Sequence, residues 1–297
     1  MIQDEVLFTP QLATVVVDLR RRITRVVASR VGISYLAFCL LSSVRSHGGS
    51  MNLASFPRNV LGNENTVVVA AAKLAKASLV EKRRERTDGR VVVLSETPHG
   101  AQAVEDCFDA LYDHLRATVW CGHSDEDVYE IMYAFPSVAE KLGVGRVEIN
   151  NACHSVMTPA FLMIPLALLR RWEAIVQQYA GLSFNEYRCL SLLETRPAAM
   201  GGCAIADALT LDRSAVSSAI SKLHSLGFVS VLAGEDRRSR TVSLTDKGEI
   251  AAALTTAKLG RLTAELYSDV DALLKAKTNE LHMRMHTAYA TKSENLK

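Results

Sequence analysis

The chain has 297 residues, 48% of them hydrophobic, and its 34 lysines and arginines nearly balance 32 aspartates and glutamates for a formal net charge of +2. That length leaves room for two domains with a core each, and so small a net charge excludes any argument for nucleic acid from bulk electrostatics alone. With only 7 prolines and 16 glycines, long uninterrupted helices are expected.

The N-terminus, Met-Ile-Gln-Asp-Glu, carries acid where a signal peptide carries lysine or arginine, so export is not expected. Helices are predicted at about 9–29, 34–46, 52–60 and 64–77, strands at 79–83 and 91–95, then helices at about 98–120 and 125–142. The two strands flank a basic turn, Lys82-Arg-Arg-Glu-Arg-Thr-Asp-Gly-Arg90. Gly143-Val-Gly-Arg-Val-Glu-Ile-Asn-Asn151 is the natural boundary between halves. The second half opens with a helix from Thr158 to Tyr179 that holds the longest apolar run, too short for a membrane span and kinked at Pro165. Ser183 and Glu186 form a capping-box pattern before a helix at 184–195, and a short helix follows at 203–209. Asp212 caps the next helix, in which Val216, Ala219, Ile220 and Leu223 make the buried stripe and which Gly227 ends. Strands at 228–232 and 240–244 surround a second basic turn. A long helical region then runs from Thr245, interrupted near 275–278.

The halves repeat one another. An offset of 149 carries Gly32-Ile-Ser-Tyr35 onto Gly181-Leu-Ser-Phe184, Met51 onto Met200, Lys73-Leu74 onto Lys222-Leu223 and Val80 onto Val229. Past the first strand, sequence matching sets the offset at 150, with Arg90 on Arg240, Val92 on Val242 and Leu94 on Leu244. A period this long indicates duplicated domains, since solenoid repeats run at a few tens of residues.

Each copy ends in a helix, a strand, a basic turn and a strand, a shape suited to gripping DNA. In the second copy Ser214, Ser217, Ser218, Ser221 and Ser225 fall opposite the Val216/Leu223 stripe, where hydroxyls can donate to and accept from base edges. Arg213 can reach a guanine or a phosphate. Arg237, Arg238 and Arg240 surround the hairpin tip, and an arginine lowered into a narrow minor groove gains from its negative potential. The matching face of the first copy is Asn65, Val68, Val69, Ala72 and Lys76, next to Asn63 and Thr66. Its apolar members suit thymine methyls, with Asn63 or Asn65 reading adenine; the alternative is a face turned to another protein. Arg84, Arg86 and Arg90 are the basic candidates of its turn.

Other chemistries find little footing. No phosphate-cradling glycine loop, GxSxG or HExxH motif occurs, so no catalytic residues are assigned and no enzyme is expected. The six cysteines, with no CxxC spacing, are expected to be reduced thiols in the cytoplasm, and no cofactor or metal site is assigned.

The series Leu-Asp-Arg-Ser-Ala-Val-Ser (211–217), Lys222-Leu223, Leu226-Gly-Phe-Val229, Glu235-Asp-Arg-Arg-Ser239 and Leu244-Thr-Asp-Lys-Gly248 resembles a MarR-type winged helix-turn-helix regulator, and the first half carries a worn version. The resemblance implies a mainly α fold with small β wings (α+β). Two winged helix-turn-helix domains, residues 1–145 and 155–297 around a linker at 146–154, would be joined by a helical pseudo-dimerisation layer in a pseudo-twofold arrangement. It implies a transcriptional regulator of double-stranded DNA, with no membrane partner, an intrachain pseudo-dimer and room for further self-association. Arg238 matches the family's minor-groove probe; in the first turn Arg86 or Arg84 is expected in that role. The resemblance further implies repression relieved by a small aromatic or phenolic effector, with Tyr35, Phe38, Phe184 and Tyr187 as candidate pocket walls. Two alternatives stand beside this: a scaffold that binds protein through the divergent first domain, and a regulator that senses oxidants through Cys153.

Overall fold

The computed structural model describes residues 8–57, 61–85, 89–132, 134–145, 158–196, 198–233 and 240–294. The fold is mainly helical, with two small antiparallel sheets. The chain divides into two compact units: one comprises residues 17–170 and 269–274, the other residues 1–16, 171–268 and 275–297. The compact units are therefore not the linear halves.

In the first unit, helix α1 (Pro10–Val31), of which residues from 17 onward belong here, leads to α2 (Tyr35–Ser46). Ser34 starts α2 by accepting a hydrogen bond from the Ala37 N–H. Strand β1 (Ser50–Asn52) and a 3-10 turn, Leu53–Ser55, follow, the turn started by Asn52, which accepts from the Ala54 N–H; of the helix expected over 52–60, residues 58–60 lie outside the described residues. Helix α3 (Glu64–Lys76) is capped by Asn63, whose Oδ1 accepts from the Thr66 N–H. Strands β2 (Val80–Arg84) and β3 (Val92–Glu96) pair antiparallel, and β1 adds to the other edge of β3, giving the order β1-β3-β2. Next come α4 (Pro98–Thr118), α5 (Asp125–Met132) and α6 (Phe135–Leu142). The single helix expected over 125–142 is thus two. Phe38, Leu41, Leu74, Leu94, Leu111 and Leu115 fill the core.

Helix α7 (Pro159–Ala180) contributes its residues up to 170 to this unit. Pro165 lies inside it, removing the N–H that would bond the Phe161 carbonyl. One residue on, the Leu162 carbonyl accepts the Tyr35 hydroxyl. Asp269 joins the unit through an ion pair with Lys141, N···O 2.8 Å.

The second unit repeats the order of strands and of the helices that flank them, with a helix where the first has the 3-10 turn. The rest of α7 leads to α8 (Phe184–Glu194), begun by the expected capping box of Ser183 and Glu186. Then come β4 (Met200–Gly201), α9 (Gly202–Leu209), α10 (Arg213–Ser225), β5 (Val229–Ala233), β6 (Arg240–Leu244), α11 (Asp246–Leu266) and α12 (Ala272–Glu294). The sheet order is β4-β6-β5. The break in the final helical region falls at 267–271, ahead of the expected 275–278. Phe8, Trp172, Phe184 and Tyr187 form one aromatic cluster, with the Phe8 ring edge-on to Trp172 at 5.0 Å.

Strand register corrects the alignment of the two hairpins. Met51 faces Leu94 and Met200 faces Val242, while Val80 faces Glu96 and Val229 faces Leu244. Positions on β3 and β6 are therefore 148 residues apart, not 150, and Thr97 and Thr245, which cap α4 and α11, hold that spacing too. Arg90, two residues before β3, becomes the counterpart of Arg238, two residues before β6; Arg240 corresponds to Val92.

Candidate nucleic-acid interface

Helix α10 buries Val216, Ala219 and Leu223 and leaves Ile220 half-buried. Because those positions recur at three and four residues, Arg213, Ser214, Ser217, Ser218, Ser221 and Ser225 are exposed together, as the spacing requires. Two of the hydroxyls are partly committed: Ser221 donates to the Ser217 carbonyl at 2.9 Å and Ser225 to that of Lys222 at 2.8 Å, which leaves their lone pairs as acceptors. Asp212 holds the N-cap position, yet its carboxylate accepts no hydrogen bond from the first turn. Arg240 is exposed at the start of β6. Arg237 and Arg238 lie outside the described residues, as does Arg86 of the first hairpin.

In the first unit α3 presents the corresponding face. Val67, Ala70, Ala71 and Leu74 are buried, while Asn65, Thr66, Val68, Val69, Ala72 and Lys76 are exposed. Val68 and Val69 stand out, with 44% and 52% of their surface open. Asn63, expected as a base-reading amide, has its Oδ1 occupied: it accepts from both the Thr66 N–H, at 2.8 Å, and the Thr66 hydroxyl, at 2.7 Å. Asn65 is the amide left on the outer face. Arg84 is exposed at the end of β2 and Arg90 just before β3.

The four aromatics expected to wall a pocket are core residues. Tyr35, Phe38, Phe184 and Tyr187 are all at most 6% exposed. None of them lines either of two cavities in the first unit, one of about 610 Å³ lined by Arg30, His99, Gln102 and Asp106, the other of about 510 Å³ lined by Ser43, His47, Phe56 and Thr158. Aromatics spaced at helical period cannot reveal from sequence whether a void lies beside them.

Three of the described thiols are held protonated by their surroundings. Burial pushes Cys39 far above its usual range, Cys107 up to about 12 and Cys189 up to about 11, so all three stay protonated near neutrality. Cys121 and Cys203 are exposed, and Cys153 lies outside the described residues. Among the described residues no three His, Cys, Asp or Glu side chains gather as a metal site, and no single helix is long and apolar enough to cross a membrane.

No protein-family model matches the chain, and no curated protein does. Among solved structures it is similar to a MarR family transcriptional regulator from Streptomyces coelicolor in complex with DNA, at 23% identity over 35% of this chain and 66% of that one, with a TM-score of 0.33. It is also similar to a MarR/EmrR family transcriptional regulator from Acinetobacter sp. ADP1, at 22% identity over 42% of this chain and 88% of that one, TM-score 0.37. A MarR protein from Peptoclostridium difficile matches at 18% identity over 43% of this chain and 86% of that one, TM-score 0.39.

Proposed function

We propose that the chain is a sequence-specific DNA-binding transcriptional regulator, without enzymatic activity, that arose by tandem duplication and acts as a single-chain pseudo-dimer on an asymmetric operator. The observation that carries this reading is the exposed hydroxyl face of α10, set opposite a buried apolar stripe and accompanied by Arg213 and Arg240. A helix used for reading bases needs such a division between a polar face and a face held by its own domain. The duplication is supported by two sheets with the same strand order and by helix caps that recur at nearly one spacing, Ser34 with Ser183, Asn63 with Asp212 and Thr97 with Thr245. The asymmetry is supported by the different chemistry of the two outer faces, serines on α10 and Asn65, Val68, Val69 and Ala72 on α3.

Basic residues flank both faces: Arg84 and Arg90 in the first hairpin, Arg240 in the second, with Lys76 at the end of α3. Their role would be to set the register on the phosphates or to enter a minor groove, with Arg90 in the place that Arg238 takes in the second hairpin. An aromatic or phenolic effector would be received beside Tyr35 and Phe38 or beside Phe184 and Tyr187, all of them buried, or in a cavity such as those of about 610 and 510 Å³ in the first unit.

Binding to duplexes selected from random DNA, measured across a salt series, tests the reading. A regulator of this kind releases several counterions per complex, and its affinity falls steeply and linearly in log–log form. Absence of binding even at low salt would instead favour a scaffold that docks on protein.

A further inference from the structure

We infer that α3 recognises a thymine run in one arm of the operator through the C5 methyl groups, using Val68, Val69 and Ala72 as a dry contact strip. This rests on the DNA-binding reading above and specifies what the divergent unit reads. In the major groove thymine is the base that presents a methyl group, and apolar side chains are the groups that match it. Val68 and Val69 are 44% and 52% exposed, and Ala72 follows them at four and three residues, so all three share one strip of the helix. From Val68 to Ala72 the helix rises by about 6 Å, close to two base steps of roughly 3.4 Å each. The strip therefore spans neighbouring thymines. β-Branched valines lose little freedom on contact because their first torsion is already restricted.

The surroundings favour DNA over a protein as the occupant. Two half-exposed valines and an alanine offer far less than the ~800 Å² per partner of a stable protein interface. Lys73 and Lys76 on the same helix and Lys82 and Arg84 on β2 are all exposed, a cationic rim that suits phosphates flanking a groove. At the N-terminal end of the strip, exposed Asn65 has the amide geometry to pair with an adenine edge beside the thymines. The equivalent positions on α10 are Ser214, Ser217, Ser218 and Ser221, which have no comparable apolar surface, so the methyl dependence belongs to one arm only.

The test uses the full chain and the duplexes recovered by selection, with deoxyuridine replacing thymine one position at a time. That exchange deletes a methyl group and keeps every hydrogen-bonding atom. The expected result is a loss of about three- to fivefold in affinity per contacted methyl, confined to neighbouring positions of one arm. The variant Val68→Ser/Val69→Ser, both sites being exposed, should unfold at the wild-type temperature, bind thymine duplexes nearly as weakly as wild type binds uracil ones, and be indifferent to the exchange at every position except one left to Ala72. Uracil tolerated at every position with binding otherwise intact overturns the methyl reading and leaves the DNA reading standing. Uracil sensitivity that persists undiminished at two or more positions in the double variant also overturns it, by assigning the contacts elsewhere. If no duplex is bound at low salt, the underlying reading fails and this one with it.

Discussion

Tyr187, Thr256 and Glu194 form a chain of polar contacts that ends on a half-buried carboxylate: the Tyr187 hydroxyl lies 2.8 Å from Thr256 Oγ1, which donates to Glu194 at 3.1 Å. Burial raises the pKa of Glu194; the Thr256 hydrogen bond opposes that, and the charge of Glu249 adds to it. A carboxyl whose pKa is raised on folding ionises first in the unfolded chain, so its contribution to stability is largest at low pH and is lost as pH climbs through and above the usual carboxylate range. Glu194→Gln keeps an acceptor for Thr256 and removes the ionisation. Denaturation midpoints measured from about pH 4 to 7 should show the variant gaining on the wild type as pH rises; a constant difference would sink the assignment. Local chemistry of this kind is partly legible in sequence. Ser183 and Glu186 announce their capping box because the partners are three residues apart. Arg188 does not announce its role: it is 1% exposed and donates to Thr14 at 3.1 Å and to the Leu209 carbonyl at 2.7 Å, partners 174 and 21 residues away.

Among the elements, the ends of α3 and α10 show how one backbone design tolerates two residues. Gly227 has φ 72° after α10, its N–H donating to the His224 carbonyl at 2.9 Å while that of Phe228 donates to Leu223 at 2.9 Å. Ser78 takes the same place after α3 with φ 56°, and Ser78 and Leu79 donate to Ala75 and Leu74, each at 3.0 Å. Glycine adopts this left-handed conformation freely, whereas a residue with a Cβ is strained by roughly 1 kcal/mol. Ser78→Gly should therefore stabilise the first unit by up to about 1 kcal/mol, seen as a shift in urea midpoint at unchanged m-value; destabilisation would show that the serine hydroxyl outweighs the strain. The boundaries of α2, α3, α8 and α10 were legible because such caps and stops are local. The hairpin alignment was not. A slip of two residues keeps every side chain on its own face of the sheet, so hydrophobic matching accepts Leu94 with Leu244 as readily as Leu94 with Val242. Pairing with β1 and β4, two strands too short to be signalled by alternation, selects the second, and the register with β2 and β5 agrees.

At the scale of the whole molecule, the linear repeat and the compact units are different divisions of one chain. Residues 1–16 belong to the unit that holds α10, and residues up to 170, including the start of α7, to the unit that holds α3. The proposed repeat is read from motifs that recur along the chain; the units are not legible that way, because where a terminal segment docks is decided by contacts remote in sequence. Phe8 makes this measurable. It is 5% exposed and packs edge-on against Trp172 at 5.0 Å, 164 residues away, within one unit. The chain has 2 tryptophans, and the other, Trp120, lies in the other unit, so Trp120→Phe leaves Trp172 as the sole reporter of its own. In that background Phe8→Ala removes a buried ring, which typically costs about 3–5 kcal/mol. The unfolding transition seen by Trp172 fluorescence should move to lower denaturant, with the native emission shifted to the red by water reaching the indole. If the midpoint stays where it is, the N-terminal residues are not part of that core, and the division of the chain into these units is wrong at its N-terminal boundary.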